Sequence, residues 1–207
     1  MQSYSQLAQD LRVLEFYKIK TNGFFVDIGA ADGIELSNTY LLELGANWKG
    51  ICVEPNPNNY NKLIVNRPTA ICCDKAIYNE TGLILNFDIA HINPLLSGIS
   101  GINNVTHLKS VVDANKSTIQ VETLLLTELL DKNNAPNFIE YLSLDTEGSE
   151  YEILKNFNFD KYTFGLIDVE HNYIEPIRSQ IRELLLANGY IYMGENNWDD
   201  SYKHNSV

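Results

Sequence analysis

The sequence predicts an α/β protein whose doubly wound, mostly parallel sheet carries helices on both faces. Two observations lead there. Short apolar runs rich in β-branched and aromatic residues, at Phe24 to Ile28, Gly50 to Val53, Phe138 to Leu144 and Phe164 to Val169, are each followed by a segment that repeats at helical spacing or opens with a helix-start signal. Strands that alternate with helices pair in parallel, because each connection must cross a face of the sheet. Glycine or acidic residues also end these runs, and in an open α/β sheet ligands sit beyond the carboxyl ends of the strands.

The elements follow in order. Leu7, Leu11 and Leu14 place an N-terminal helix within residues 1–20, from about residue 5. After the first strand, Ser37 is the expected N-cap of a helix carrying Tyr40, Leu41 and Leu44, with Gly45 as its stop. Pro57 opens a helix through Val65, Thr69 to Cys73 is a third strand, and Leu83 to Asp88 is a further one. From Ala90 to Ser117 the periodicity fails among scattered Asn, Gly and Ser, so residues 90–117 are expected to form a mobile substrate loop. Order resumes with a strand at Thr118 to Glu122 and helices at Leu124 to Lys132, Ser149 to Asn156 and Ile174 to Asn188. A last strand is expected at Tyr190 to Met193.

At 207 residues with 44% hydrophobic content the chain is expected to form one domain, 1–207. Its net charge of −12 disfavours nucleic acid and anionic lipid as partners. Three cysteines, Cys52, Cys72 and Cys73, give no disulfide framework and read as buried thiols. Without a signal-peptide stretch or a bilayer-length apolar run, a cytoplasmic location is expected, and the Asn-x-Ser/Thr triplets at Asn79, Asn104 and Asn115 read as chance matches.

The first strand ends in Asp27-Ile28-Gly29-Ala30-Ala31-Asp32-Gly33, and the second delivers Glu54-Pro55. The vicinal hydroxyls of a ribose can both donate to a carboxylate such as Glu54. A dinucleotide loop needs a glycine where this chain has Ala31, and Asp27 with Asp32 would repel a pyrophosphate. A cationic nucleoside suits the acidic loop, and S-adenosylmethionine (SAM) carries a ribose, an amino group and a sulfonium but no phosphate. Later strands deliver Asp145, Thr146, Glu147 and Gly148, and Asp168, Val169, Glu170 and His171. Each acid taken singly has an ordinary explanation at a helix start, but together they form a candidate catalytic set of Asp145, Glu147, Glu170 and His171. Two mechanisms stay open. Either a carboxylate or His171 takes the proton of an acceptor hydroxyl, or Asp145, Glu170 and His171 hold a divalent metal that acidifies it.

Taken together these blocks resemble the FkbM family of SAM-dependent methyltransferases nearly from end to end. Val26-Asp27-Ile28-Gly29-Ala30 with Asp32-Gly33 is similar to its first motif, Ser37-Asn38-Thr39 with Leu42-Glu43 and Trp48-Lys49-Gly50 to its continuation, and Val53-Glu54-Pro55-Asn56-Pro57 to its ribose motif. Asp145-Thr146-Glu147-Gly148-Ser149-Glu150 resembles its D-x-E-G-x-E block. The resemblance implies a Rossmann-like class I methyltransferase fold and O-methylation of a sugar, glycan or small natural product. It also implies cofactor contacts from Asp27, Gly29, Ala30, Asp32, Gly33, Ser37, Asn38, Glu54 and Pro55, with Asp74 and Ala76 near the adenine. Either Glu147 or Glu150 would organise the glycine turn. Trp198, Tyr202, His91 and His107 are candidates for an acceptor wall, with loop or edge packing as the plainer explanation. The alternative function is a SAM-binding or interaction module of the same fold without catalysis.

Overall fold

The computed structural model describes residues 1–102 and 109–207, so His107 and the Asn104 triplet lie outside the described residues. The first elements are α1 (Gln9–Phe16), β1 (Phe24–Ile28), α2 (Tyr40–Ala46), β2 (Lys49–Val53), α3 (Pro57–Asn66) and β3 (Ile71–Cys73). Then come β4 (Ala76–Ile77), β5 (Ile84–Ala90), a 3-10 turn at Pro94–Leu96, β6 (Gly98–Ile99), α4 (Lys109–Ala114) and β7 (Lys116–Leu124). The chain ends with α5 (Leu126–Lys132), β8 (Phe138–Leu144), α6 (Glu150–Lys155), β9 (Thr163–Glu170), α7 (Ile177–Ala187), β10 (Tyr190–Asn196) and β11 (Asp199–His204).

Seven strands form the main sheet in the order β10-β11-β9-β8-β1-β2-β3. Strands β3, β2, β1, β8 and β9 run parallel, and β11 turns antiparallel to β9. Alternation along each strand divides its side chains between two cores. Val26 and Ile28 join Leu126, Leu129, Leu154 and Leu185 from α5, α6 and α7 on one face. Phe25 and Cys52 join Val13, Leu14, Leu42 and Leu63 from α1, α2 and α3 on the other. This is the doubly wound α/β architecture that the strand and helix pattern predicts.

Three expectations are corrected. The N-terminal helix spans only Gln9–Phe16. Ahead of it Asp10 accepts from Ser3 Oγ (2.6 Å), Tyr4 N (2.8 Å) and Ser5 Oγ (2.8 Å), which draws the preceding residues into a turn instead of a helix. The described residues of 90–117 include the 3-10 turn, β6 and α4, and β6 joins a second sheet, β4-β7-β5-β6, closed over its own small core of Phe87, Ile89, Ile99 and Val121. Short elements with few apolar residues leave little periodicity to read. Strand β11 was not foreseen because Asp199, Asp200 and Ser201 are buried through polar partners, so the run carries no apolar alternation. The three cysteines are free, and burial raises each thiol pKa. Among the described residues no helix is long and apolar enough to cross a membrane.

Candidate active site

A cavity of about 350 Å³ opens at the carboxyl ends of β1, β2, β8 and β9. Gly29 stands at its floor with φ +93°, and an added Cβ would lie 1.8 Å from the carbonyl oxygen of Asp145. Only glycine lets the ends of β1 and β8 approach this closely. The amides of Gly29 and Ala30 both donate to Val53 O (3.0 and 2.9 Å), which ties the loop to the end of β2.

Glu54 follows β2 and faces the cavity. Its Oε1 accepts from Asn56 N at 2.7 Å, and Ala31 N and the Asn59 side chain also donate to it. Burial pushes its pKa up to about 7. Asp27 is buried, accepts from Thr39 Oγ1 at 2.6 Å and has its pKa raised by burial, while Arg67 works in the opposite direction. That arginine escaped sequence reasoning. It is 1% exposed, pairs with Glu43 at 2.6 Å and donates to Gly33 O (3.1 Å) and Thr39 Oγ1 (3.1 Å), so one buried cation locks the first loop to α2 and α3. Its position, one residue past a helix end, carries no pattern that could have marked it.

Ala30, Ser37, Asn38, Pro55 and Ala76 line the cavity as expected. Three expected cofactor residues do not. Asp32 Oδ1 accepts from Ile34 N (3.0 Å) and Glu35 N (2.9 Å), so this carboxylate makes the turn. Gly33 packs where a Cβ would meet Leu63 at 2.6 Å and Arg67 at 2.7 Å, and Asp74 is exposed on the surface after β3. Helix α2 starts at Tyr40 with Thr39 as the flanking residue, so Ser37 is not its N-cap. Ser37 Oγ nevertheless accepts from Thr39 N (3.3 Å) and Tyr40 N (3.1 Å). Asn38 Nδ2 donates to Ser143 Oγ (2.9 Å).

Carboxylates dominate the opposite wall. Asp145 from the end of β8 is hydrogen-bonded to Glu170 from the end of β9. Asp145 opens into the cavity, but its enclosure by protein, helped by Asp199 and Glu150, pushes its pKa up to about 7. Burial and Asp145 drive Glu170 well above the carboxylate range, so of the two Glu170 holds its proton the more tightly. Glu147, in a left-handed conformation at φ +60°, is raised to about 9 by burial and by the charges of Asp145 and Glu150. Glu150 is the turn organiser: its Oε1 accepts from Thr146 N (2.8 Å), Thr146 Oγ1 (2.8 Å) and Gly148 N (3.1 Å).

The structure does not assemble Asp145, Glu170 and His171 into a metal triad. Consecutive residues at a strand end point to opposite sides, so His171 turns away from Glu170. Its Nδ1 accepts from Tyr173 N (2.9 Å), its Nε2 lies 3.5 Å from Asp200 Oδ1, and burial lowers its pKa. It lines a small void beside Glu150 and Glu170, not the cavity. Carboxylate oxygens of Asp145, Glu150 and Glu170 all lie within 4.8 Å of one another, so Glu150 takes the third place.

Asp168 and Asp199 also line the wall, and sequence reasoning gave neither a role. Tyr141 OH (2.7 Å), Ser201 Oγ (2.6 Å) and Arg12 hold Asp168, while Gln9 Nε2 (2.7 Å) holds Asp199, so α1 is tied across the cleft by both. Trp198 reaches the cavity. Tyr202 is buried in the main core, and His91 is exposed away from the cavity, so neither forms an acceptor wall. The second sheet supplies the apolar side with Phe87, Leu95, Leu96 and Ile99.

The lining therefore joins eight carboxylates (Asp27, Glu35, Glu54, Asp145, Glu147, Asp168, Glu170 and Asp199) to an apolar wall, with no Lys, Arg or His among the described residues. That donor set fits SAM: acid for its sulfonium, amino group and ribose, and apolar surface for its adenine. The fold and this cleft define a class I, nucleoside-cofactor methyltransferase architecture. The sequence matches the Methyltransferase FkbM domain over residues 27–192, and the chain belongs to that family of SAM-dependent methyltransferases. No curated protein matches it. A methyltransferase FkbM from Methylobacillus flagellatus KT is similar in structure, with TM-score 0.54 and 15% identity over 88% of this chain and 44% of its own. This chain thus spans under half the length of that protein. A methyltransferase from Pyrococcus furiosus (TM-score 0.46, 11% identity, 96% of this chain and 81% of its own) is also similar. So is a precorrin-6y C5,15-methyltransferase from Geobacter metallireducens GS-15 (TM-score 0.45, 13% identity, 93% of this chain and 84% of its own).

Proposed function

We propose that the protein transfers a methyl group from SAM to a hydroxyl of a sugar, glycan or small natural product. The observation that carries this reading is the Asp145, Glu147 and Glu170 group, which faces a cavity whose described lining has no cationic side chain and which also holds the ribose-suited Glu54. SAM supplies an electrophilic methyl group on its sulfonium. Glu54, fixed by Asn56 and Ala31, accepts from the ribose hydroxyls, and Asp27 offers charge to the amino group. Glu170 keeps its proton against Asp145, so Asp145 presents an ionised oxygen to the acceptor. The hydroxyl proton passes to Asp145 as the oxygen lone pair bonds to the methyl carbon. The carbon–sulfur bond breaks with its electron pair left on sulfur, giving the methyl ether and S-adenosylhomocysteine. The apolar wall of Phe87, Leu95, Leu96 and Ile99 excludes water and favours an uncharged acceptor over a phosphorylated one.

Calorimetry with SAM, S-adenosylhomocysteine and NAD tests the cofactor, and a chain that binds NAD but ignores SAM defeats the reading. A radiolabelled-methyl assay over hydroxyl, amine and phosphorylated acceptors tests the rest. Transfer to amines alone would replace O-methylation with N-methylation. SAM binding without transfer to any acceptor would favour the non-catalytic module.

A further inference from the structure

We propose that Asp145, Glu150 and Glu170 hold one divalent hard cation, magnesium or manganese, in the reaction half of the cleft, with Glu147 as the adjoining fourth carboxylate. The role given to the cation rests on the methyl-transfer reading, whereas its binding does not. The three groups come from separate parts of the fold, the end of β8, the start of α6 and the end of β9, and each offers an oxygen within 4.8 Å of the others. Oxygens around a single small ion have spacings of this kind. An independent observation points to an occupant. Glu147 is only 7% exposed, its Oε2 has no hydrogen-bond partner among the described residues, and it lines the cavity with Asp145 and Glu170, while Glu150 borders the small adjoining void that Glu170 also lines. A buried carboxylate oxygen without a donor is costly, and a cation would satisfy it.

Among the described residues no cationic side chain lines the cavity to satisfy it, and Glu150 Oε1 already accepts from Thr146 and Gly148, which fixes its carboxylate in place. His171 groups with Glu195 and Asp200 instead. A site of carboxylate oxygens alone, without nitrogen or sulfur, selects hard ions over zinc or copper. With the cation present, Asp145 becomes a ligand. A cation held there would acidify an acceptor hydroxyl beside it and so ease the loss of its proton.

The test uses the whole chain, stripped of metal with EDTA, and reads manganese binding by electron paramagnetic resonance and calorimetry. One saturable manganese per chain is expected, displaced by magnesium, with affinity about tenfold or more weaker in Glu170→Gln and in Asp145→Asn. Removing a carboxylate from this crowded group should leave the melting temperature intact or raise it, which separates lost binding from lost folding. Absence of a saturable site at millimolar manganese, or equal binding by wild type and both variants, overturns the proposal. Saturable stabilisation by ethanolammonium that Glu170→Gln abolishes, without manganese binding, also overturns it and points to a cationic acceptor. SAM calorimetry on the same samples keeps the readings apart. A chain that binds SAM and ignores manganese loses only the cation, whereas one that binds manganese and ignores SAM loses only the methyltransferase reading.

Discussion

The two halves of the cleft are built by opposite means. Beside β1 and β2 the backbone does most of the work: a left-handed glycine, amides turned onto Val53 O, and one carboxylate held by backbone donors. Beside β8, β9 and β11 side chains do it, as Asp145, Glu147, Glu150 and Glu170 crowd together and leave Glu147 Oε2 unsatisfied. A backbone-built half tolerates almost no change of shape. A side-chain-built half tolerates changes of shape but is sensitive to charge.

The contrast is broken most easily at its rigid end. Gly29→Ala should destabilise the protein by about 3 kcal/mol or more and abolish SAM binding, because the added carbon would overlap the Asp145 carbonyl. Urea unfolding and calorimetry check this, and a stable variant that still binds SAM would show that the two strand ends can separate. In the side-chain half, Asp145→Asn should fold normally and keep SAM affinity within about tenfold, while transfer falls by roughly 100-fold or more. If SAM affinity fell in parallel with the rate, Asp145 would belong to the cofactor half.

Smaller effects sharpen the boundary. Glu54→Ala should weaken SAM by about 1 to 3 kcal/mol with little change in melting, because ribose donors lose their acceptor. Glu54 also sets a pH dependence. Its pKa rises from 4.5 to about 7 on folding, so between those values the folded protein keeps a proton that the unfolded chain has released. Its contribution therefore makes the ligand-free protein less stable as pH rises through that window, while SAM affinity grows as the ionised acceptor forms. Melting and calorimetry at about pH 5.5 and about pH 8 read the two trends, and trends of the same sign would remove Glu54 from the ribose. The smallest effect is expected at His171→Ala, on the order of 1 kcal/mol in stability with SAM affinity unchanged, because the imidazole faces Tyr173 and Asp200 and not the cavity.

Legibility in the sequence follows the same division. Backbone geometry leaves marks in residue type, since a left-handed turn asks for glycine and a buried strand for β-branched residues, so Gly29, Glu54 and the alternation of parallel strands with helices are readable. What a side chain faces depends on direction at a strand end, which residue type does not encode. Residue type therefore groups His171 with Glu170, although the chain turns between them, and suggests a ligand contact at Asp32, whose Oδ1 closes a turn. Arg67 and β11 stayed hidden for a third reason: both are buried by hydrogen bonds and ion pairs, and so lack the apolar pattern that marks a buried segment.

The second sheet has a consequence for diversity. Strands β4 and β7, where the chain enters and leaves this region, lie side by side with Ala76 opposite Thr123 and Ile77 opposite Leu124. The described residues between these two strands thus form a cassette whose ends meet at one point of the scaffold, and none of the seven main strands lies within it. The apolar wall of the cavity travels with that cassette, while Gly29, Glu54 and Asp145 stay behind. A lineage could change which molecule it recognises by replacing one module, with the chemistry inherited whole.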